Sequence, residues 1–558
     1  MKLRDVIVVG TLFVVAPSGS LALAGGLFLP GSGAISTSRA GAGVATADDG
    51  EALSLNPAGL AKTHGTTITV SAALIYYSMQ FTRTGSYDAL STDDQPYEGT
   101  PYATVKDNSK PPLGIGPVQP VPVIAIVSDL GGRVKGLHVA AGLYAPNGYP
   151  VRDMSTGYQF NGDFTKPPPP TRYDIVTQEA AVVFPSVAVS YRITPTLDFG
   201  ARFSYGFGDL KSTVAIWGNP GNVEESIKDD GLINLEAKDN FVPAFGLGVT
   251  WRPMPQLELA AVYNSAASIQ AKGTATSANG PGVSLNMQPI VVGPTAKGAA
   301  RCAEGGTFDA QSACVGIQIP MSATIAASYK FLGSNGEVKG DVELDVGWEN
   351  WGKRCEIDAT GLFTDANCTS PGMYRVVVDS AAYVDSNADG TLDESEIALT
   401  LKDNYIEHKL KDTYSIRLGG SYHLPLNANQ PGGNQIILRG GVGYDTRAAE
   451  TGWLRADLDG ASRITTTIGA AFRTKKYEVN VGGGAILEGT NVNAGDCNPT
   501  KTALGCVGDG SEHVFTDRNG PDPINPIITP SNQFENPVTQ GTFKSNYMLF
   551  MLGFTTWF

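Results

Sequence analysis

The sequence predicts an all-β fold: a transmembrane antiparallel β-barrel of about 14 strands, its lumen plugged by a small N-terminal hatch. Three observations carry this. Apolar and polar residues alternate with period two in segment after segment. The connections between those segments alternate strictly between short and long. A run of small residues that does not read as wall precedes the first strand.

Residues 1–24 read as a secretory signal peptide, with Lys2 and Arg4, an apolar run from Val6 to Ala16, and Ala22-Leu23-Ala24 as the cleavage site, so that the mature chain starts at Gly25. After it no apolar stretch reaches the about 18 residues that a membrane helix requires. The 67 glycines, 35 prolines and 17% charged residues disfavour long helices, whereas 42% hydrophobic and 9% aromatic residues suit strands. A net charge of −14 argues against nucleic acid as a partner.

Strands are predicted near 66–77, 121–127, 137–144, 185–191, 197–205, 241–251, 257–264, 322–331, 342–351, 414–422, 435–444, 463–473, 477–486 and 546–558. Leu197, Phe199, Ala201, Phe203 and Tyr205 share one face, against Asp198, Gly200, Arg202 and Ser204 on the other. Tyr414, Ile416, Leu418 and Tyr422 oppose Ser415, Arg417 and Ser421 in the same way. In a membrane barrel the apolar face meets lipid and the polar face the lumen. The even-numbered connections run from three residues (474–476) to twelve (423–434), and the odd-numbered ones from eighteen (445–462) to sixty-two (352–413). Bacterial outer-membrane barrels have this asymmetry, with short periplasmic turns and long outer loops. The last segment alternates Met548, Phe550, Leu552 and Phe554 with Leu549, Met551, Gly553 and Thr555 and ends on Phe558. A terminal aromatic residue on such a strand resembles the signal read by the barrel-assembly machinery, which places the chain in the outer membrane of a Gram-negative bacterium.

The six cysteines form three close pairs, Cys302 with Cys314, Cys355 with Cys368 and Cys497 with Cys506, and all three fall in long loops. An exported chain meets an oxidising compartment, so local disulfides are expected; free thiols or a metal site are the alternatives, but the spacings are not those of zinc. A calcium loop is predicted at DSNADGTLDESE. Asp385, Asn387, Asp389, Gly390, Thr391, Asp393 and Glu396 take positions 1, 3, 5, 6, 7, 9 and 12 of the EF-hand-type pattern. That spacing surrounds one ion with side-chain oxygens, a carbonyl at position 7 and a two-oxygen carboxylate at 12, while the glycine allows the sharp turn. The expected role of Ca2+ is to stiffen the longest outer loop, with an acidic solvated turn as the alternative.

Residues 25–65 are rich in Gly, Ala and Ser yet keep Leu27, Phe28, Ile35, Leu53 and Leu55; small residues pack tightly in a confined space, which predicts a plug inside a barrel formed by 66–558, with a periplasmic extension as the alternative. The stretches GGLFLPGSG and RAGAGVATADDGEALSLNPAGLA, with Asp48-Asp49 and Asn56-Pro57-Ala58, resemble the N-terminal hatch of the FadL/TodX family of outer-membrane transporters. Looser likenesses are GLYAPNGYP at 142–150, PSVAVSYRITPTLDFGARFSYGFGDL at 185–210 and ILRGGVGYDTR at 437–447. The resemblance implies fourteen strands, a hatch, and passive, hatch-gated passage of long-chain fatty acids or aromatic and aliphatic hydrocarbons. It implies gating by Gly25, Gly26, Leu27 and Phe28 together with Asn56, Pro57 and Ala58, and sideways exit through a defect in the wall. The expected surroundings are hydrophobic cargo, lipid and lipopolysaccharide, with the chain working as a monomer.

Lumen-facing charges include Arg202, Glu258, Glu343, Asp345, Glu349 and Arg417; an arginine could meet a carboxylate cargo, or the charges pair among themselves and with the hatch. A general porin would not need a plug of this size. An enzyme is not expected, because five histidines and no G-x-S-x-G element give no nucleophile–base pattern. The rival function is a surface adhesion or receptor barrel whose calcium- and disulfide-bearing loops are the working part.

Overall fold

The computed structural model describes the chain from Phe28 to Phe558, except residues 91–93, 112–113, 158–164, 218–224, 280–283, 286–287, 290, 296–301, 303–309, 335, 355–369, 388, 390–392, 401–403, 427–432, 451, 459 and 494–537. The predicted signal peptide, Gly25, Gly26 and Leu27 lie outside the described residues, as do Cys355, Cys368, Cys497, Cys506, Gly390 and Thr391.

Fourteen antiparallel strands form the wall: β1 Thr66–Arg83, β2 Val118–Ser128, β3 Leu137–Tyr144, β4 Thr177–Thr194, β5 Leu197–Trp217, β6 Asp230–Met254, β7 Leu257–Asn264, β8 Ser322–Leu332, β9 Val338–Glu349, β10 Thr413–Pro425, β11 Gln435–Asp445, β12 Arg463–Arg473, β13 Tyr477–Asn493 and β14 Gly541–Trp557. Each pairs with the next, and β14 pairs back onto β1 from Thr67↔Trp557 to Arg83↔Gly541. Joining the last strand to the first closes the sheet into a ring, the condition for a sheet to survive in hydrocarbon. Phe558 completes the seam: its N–H donates to Thr66 O (2.9 Å) and its carbonyl accepts from Thr66 N (3.2 Å). The outward face exposes Val70, Val187, Phe203, Trp251, Ile325, Ile416, Ile468 and Phe550 around the whole ring. A belt of this kind is stable against lipid and not against water.

Every strand is found where the alternation predicts it, but several run much farther outward. The segment expected at 241–251 spans Asp230–Met254, and that at 197–205 spans Leu197–Trp217. Past Phe207 the outward positions of β5 change from aromatic to charged. Lys211 pairs with Glu236 (3.2 Å) and Lys238 with Asp209 (3.0 Å) across to β6. These strands leave the lipid and continue as sheet in water, where an outward charge costs nothing. The long loops extend this sheet further: Ala267–Asn279 pairs with the outer half of β6, Gln311–Ile319 with Ala267–Ala275, Met373–Val378 with that strand, and Asn404–Glu407 closes the series. Cys302 and Cys314 are joined by a disulfide that pins the loop to this outer sheet.

Inside the ring lie residues 28–65, with two single-turn helices, α1 Gly33–Thr37 and α2 Ala52–Leu55, and a 3-10 turn at Pro57–Lys62. The last turn is locally encoded: the Asn56 side chain accepts from Ala58 N (3.0 Å) and Pro57 takes the first helical position, where a missing N–H does no harm.

Candidate functional site: a plugged lumen with a break in its wall

The N-terminal segment crosses the lumen lengthwise. Phe28 sits at the outer end, its carbonyl accepting from Arg463 (3.0 Å) and its ring 5.7 Å from that of Trp351. Asn56, Pro57 and Ala58 sit toward the periplasmic turns, where Asn56 Nδ2 donates to Val44 O (2.8 Å) and to Thr250 on β6 (3.1 Å). Of the predicted gating residues, Phe28 and Asn56–Ala58 therefore occupy opposite ends of one segment.

Two features of the wall hold this segment. The first is a charged strip on β9. Arg39 donates to both oxygens of Asp341 (3.1 and 2.5 Å) and to Glu343 (3.1 Å), all three side chains buried. Glu343 also accepts from Ala45 N (2.6 Å) and from the Thr46 hydroxyl, and Asp345 from Gly43 N (3.0 Å). The second is glycine on inward positions of the wall. A methyl group on Gly200 would lie 2.2 Å from the Pro57 carbonyl carbon, one on Gly248 2.1 Å from Asn56 Oδ1, and one on Gly441 2.2 Å from the Arg39 carbonyl carbon. The segment thus rests against wall backbone, where no side chain fits.

Most of the predicted lumen charges are engaged. Arg202 donates to Leu53 O and Ser54 O (2.9 Å each) and to Asn264. Glu258 pairs with Lys62 (3.2 Å) and Lys330 (2.7 Å), Arg417 with Asp445 (2.8 Å), and Glu349 accepts from Trp351 Nε1 (2.5 Å). They bind one another and the N-terminal segment. Arg417, Glu349 and Asp445, with Phe28, border a small polar cavity of about 50 Å³.

The opposite side of the lumen is apolar. Above Arg202 the inward positions of β4, β5 and β6 become Phe184, Leu210, Leu235 and Val242, continued by Ile269 and Val315 of the outer strands. Barrel interiors are polar as a rule, so this lining is a departure, and the wall breaks beside it. Strand β3 stops at Tyr144, whose ring stacks on Phe184 (5.5 Å). The chain then turns into the lumen: Asn147 donates to Pro30 O (2.8 Å) and Gly31 O (3.0 Å), accepts from Leu29 N (2.6 Å), and Tyr149 is buried against Tyr77. Above this point β2 and β4 have no pairing with each other among the described residues. The exposed edge is prepared in the sequence. Pro122 O faces β3, accepting from Ala145 N (3.2 Å), so Pro120, two residues away, faces the break and has no N–H to leave unpaired. Inspection of the sequence missed Asn147, Pro120 and Arg39; the Pro-Asn-Gly turn inside GLYAPNGYP was the available signal.

The outer loops lock together above the lumen. Arg455 pairs with Asp174 and Asp457, and Asp457 also holds His408 (2.8 Å), joining three loops through buried groups. Burial alone would raise the Asp457 pKa, but the His408 and Arg455 charges hold the carboxyl below its ordinary range.

The profile of the family described as outer membrane protein transport protein (OMPP1/FadL/TodX) matches residues 15–496. Among solved structures, the chain is similar to a Pseudomonas aeruginosa FadL homologue (14% identity, 96% of this chain and 100% of that one, TM-score 0.61). It is also similar to the Pseudomonas putida toluene transporter TodX (14%, 95% and 99%, TM-score 0.56) and the Ralstonia pickettii toluene transporter TbuX (14%, 95% and 99%, TM-score 0.54). No curated protein matches it in sequence. With a closed fourteen-strand wall and a match over most of its length, the chain belongs to the OMPP1/FadL/TodX family of outer-membrane transport proteins.

Proposed function

We propose that this protein moves hydrophobic molecules, long-chain fatty acids or aromatic and aliphatic hydrocarbons, inward across the outer membrane by passive diffusion, with residues 25–65 as the hatch. The carrying observation is the apolar lining of β4–β6 running to the break beside Tyr144. An apolar solute leaves water for that surface with about 25 cal/mol gained per Å² buried, so a downhill step needs no other energy source. The plug closes the polar half of the lumen to water and ions, while the break offers lateral exit into lipid. The toluene transporters of similar fold support the aromatic part of this range. In this reading one chain makes a complete route through the lipopolysaccharide-covered membrane, Phe558 serves its assembly, and the chain catalyses no reaction.

Two measurements on purified protein test this. In liposome swelling, wild type should pass no more sugar than protein-free vesicles; free passage would make it a general porin. A labelled fatty acid or labelled toluene should bind wild type and bind Val242→Asp about tenfold or more weakly, since losing one buried valine contact costs roughly 1.5–3 kcal/mol. Absence of binding by both cargoes to wild type would overturn the proposal.

A further inference from the structure

The loop at 385–396 is not explained by transport. It connects two strands of a three-stranded sheet outside the wall, formed by Val291–Pro294, Ser380–Tyr383 and Ile397–Thr400. The hairpin brings the ends of the loop together: Val384 N donates to Glu396 O (3.0 Å). Position 12 of the pattern thereby comes back over position 1. The Glu396 side chain is only 5% exposed and points into the loop, where Oε1 accepts from Ser386 N (3.0 Å). Its other oxygen, Oε2, is buried and has no hydrogen-bond partner among the described residues. A buried carboxylate oxygen without a donor is costly, and a cation is the group that would satisfy it.

We infer that Asp385, Asn387, Asp389 and Glu396 bind one calcium ion on the outer surface, with Oε2 of Glu396 as an anchoring ligand. Oxygen-only donors suit Ca2+; Mg2+ demands a tighter octahedron and sheds its water reluctantly. Asp393 is turned away, accepting from Ser395 N (2.9 Å), and acts at most through water. Among the described residues no three acidic, histidine or cysteine side chains already stand at ligand distance. The ion therefore draws Asp385, Asn387 and Asp389 onto Glu396 and tightens the hairpin. That tightening passes to the neighbouring loop, because the Tyr383 hydroxyl donates to Pro294 O.

The test is calorimetric titration of full-length, chelator-treated protein in detergent with calcium chloride and, separately, magnesium chloride. One calcium per chain is expected, with a Kd on the order of 10⁻⁴–10⁻³ M as in extracellular modules, and no heat from magnesium. Glu396→Gln, which keeps the Oε1 acceptor, should weaken binding at least tenfold. Asp385→Asn, in the more open part of the loop, should weaken it too and serves if Glu396→Gln fails to fold. Calcium should also slow chymotryptic cleavage between 380 and 400, which holds Tyr383, Leu392 and Leu399, in wild type and not in the variants. No calcium heat from wild type, or binding unchanged in both variants, would overturn the inference.

Discussion

Replacing Arg39 with methionine removes one guanidinium from between two carboxylates while keeping most of the volume. Asp341 and Glu343 are then left buried without their counter-charge. Removing one member of a buried pair costs about 3–5 kcal/mol, much of it the penalty of the stranded charge. At 1.4 kcal/mol per factor of ten, the plug should leave its seat roughly a hundred to four thousand times more often. It keeps other holds, since Glu343 still accepts from Ala45 N and Asp345 from Gly43 N, so the barrel itself should fold. Hydrogen exchange in detergent reads the effect on the backbone of 36–46, and conductance across a planar bilayer reads it as open events rare in wild type. Adding Asp341→Asn and Glu343→Gln to Arg39→Met should restore much of the seating, because a neutral polar cluster strands no charge. If Arg39→Met exchanges and conducts like wild type, or if the triple variant is worse than the single one, the ion pair does not seat the plug.

Gly200→Ala and Gly441→Ala each place a methyl group against plug backbone and should destabilise its seating by about 1–3 kcal/mol, seen as faster hydrogen exchange at 56–58 and 39–41 respectively. Asn147→Ala removes two hydrogen bonds between the break and Pro30–Gly31 and should raise exchange at the outer end of the plug with little effect near Asn56. Asp457→Asn should open the outer loops to trypsin. Wild type should lose the same protection only as pH falls below the ordinary carboxylate range, because the depressed pKa of Asp457 gives stability that is present above that range and disappears on protonation.

The wall was legible because its residues answer to a single demand. Lipid on one side and lumen on the other impose period two, and strands such as Leu197–Tyr205 obey it without exception. Where that demand ends, so did legibility. Beyond Phe207 water replaces lipid, the outward positions become Asp209 and Lys211, and the inward ones become apolar, so the outer strands read as loop. The small residues of 28–65 hinted at a confined setting, but the contacts of that segment with Gly200, Gly248 and Gly441 could not be read, because an inward glycine in a strand looks the same whether or not backbone passes over it. Charges on the lumen face could be placed, but the pairing of Arg39 with Asp341 joins residues 302 positions apart. Of the predicted disulfides, Cys302–Cys314 is present, and the other two pairs lie outside the described residues.

The most direct test of the account is uptake by intact cells. Radiolabelled long-chain fatty acid and toluene would be given to cells carrying wild type, cells carrying Val242→Asp at matched surface amount, and cells without the protein. The account predicts that wild type takes up at least one of the two faster than cells without it, and that Val242→Asp loses most of that gain. Equal uptake of both compounds with and without the wild-type protein would contradict it.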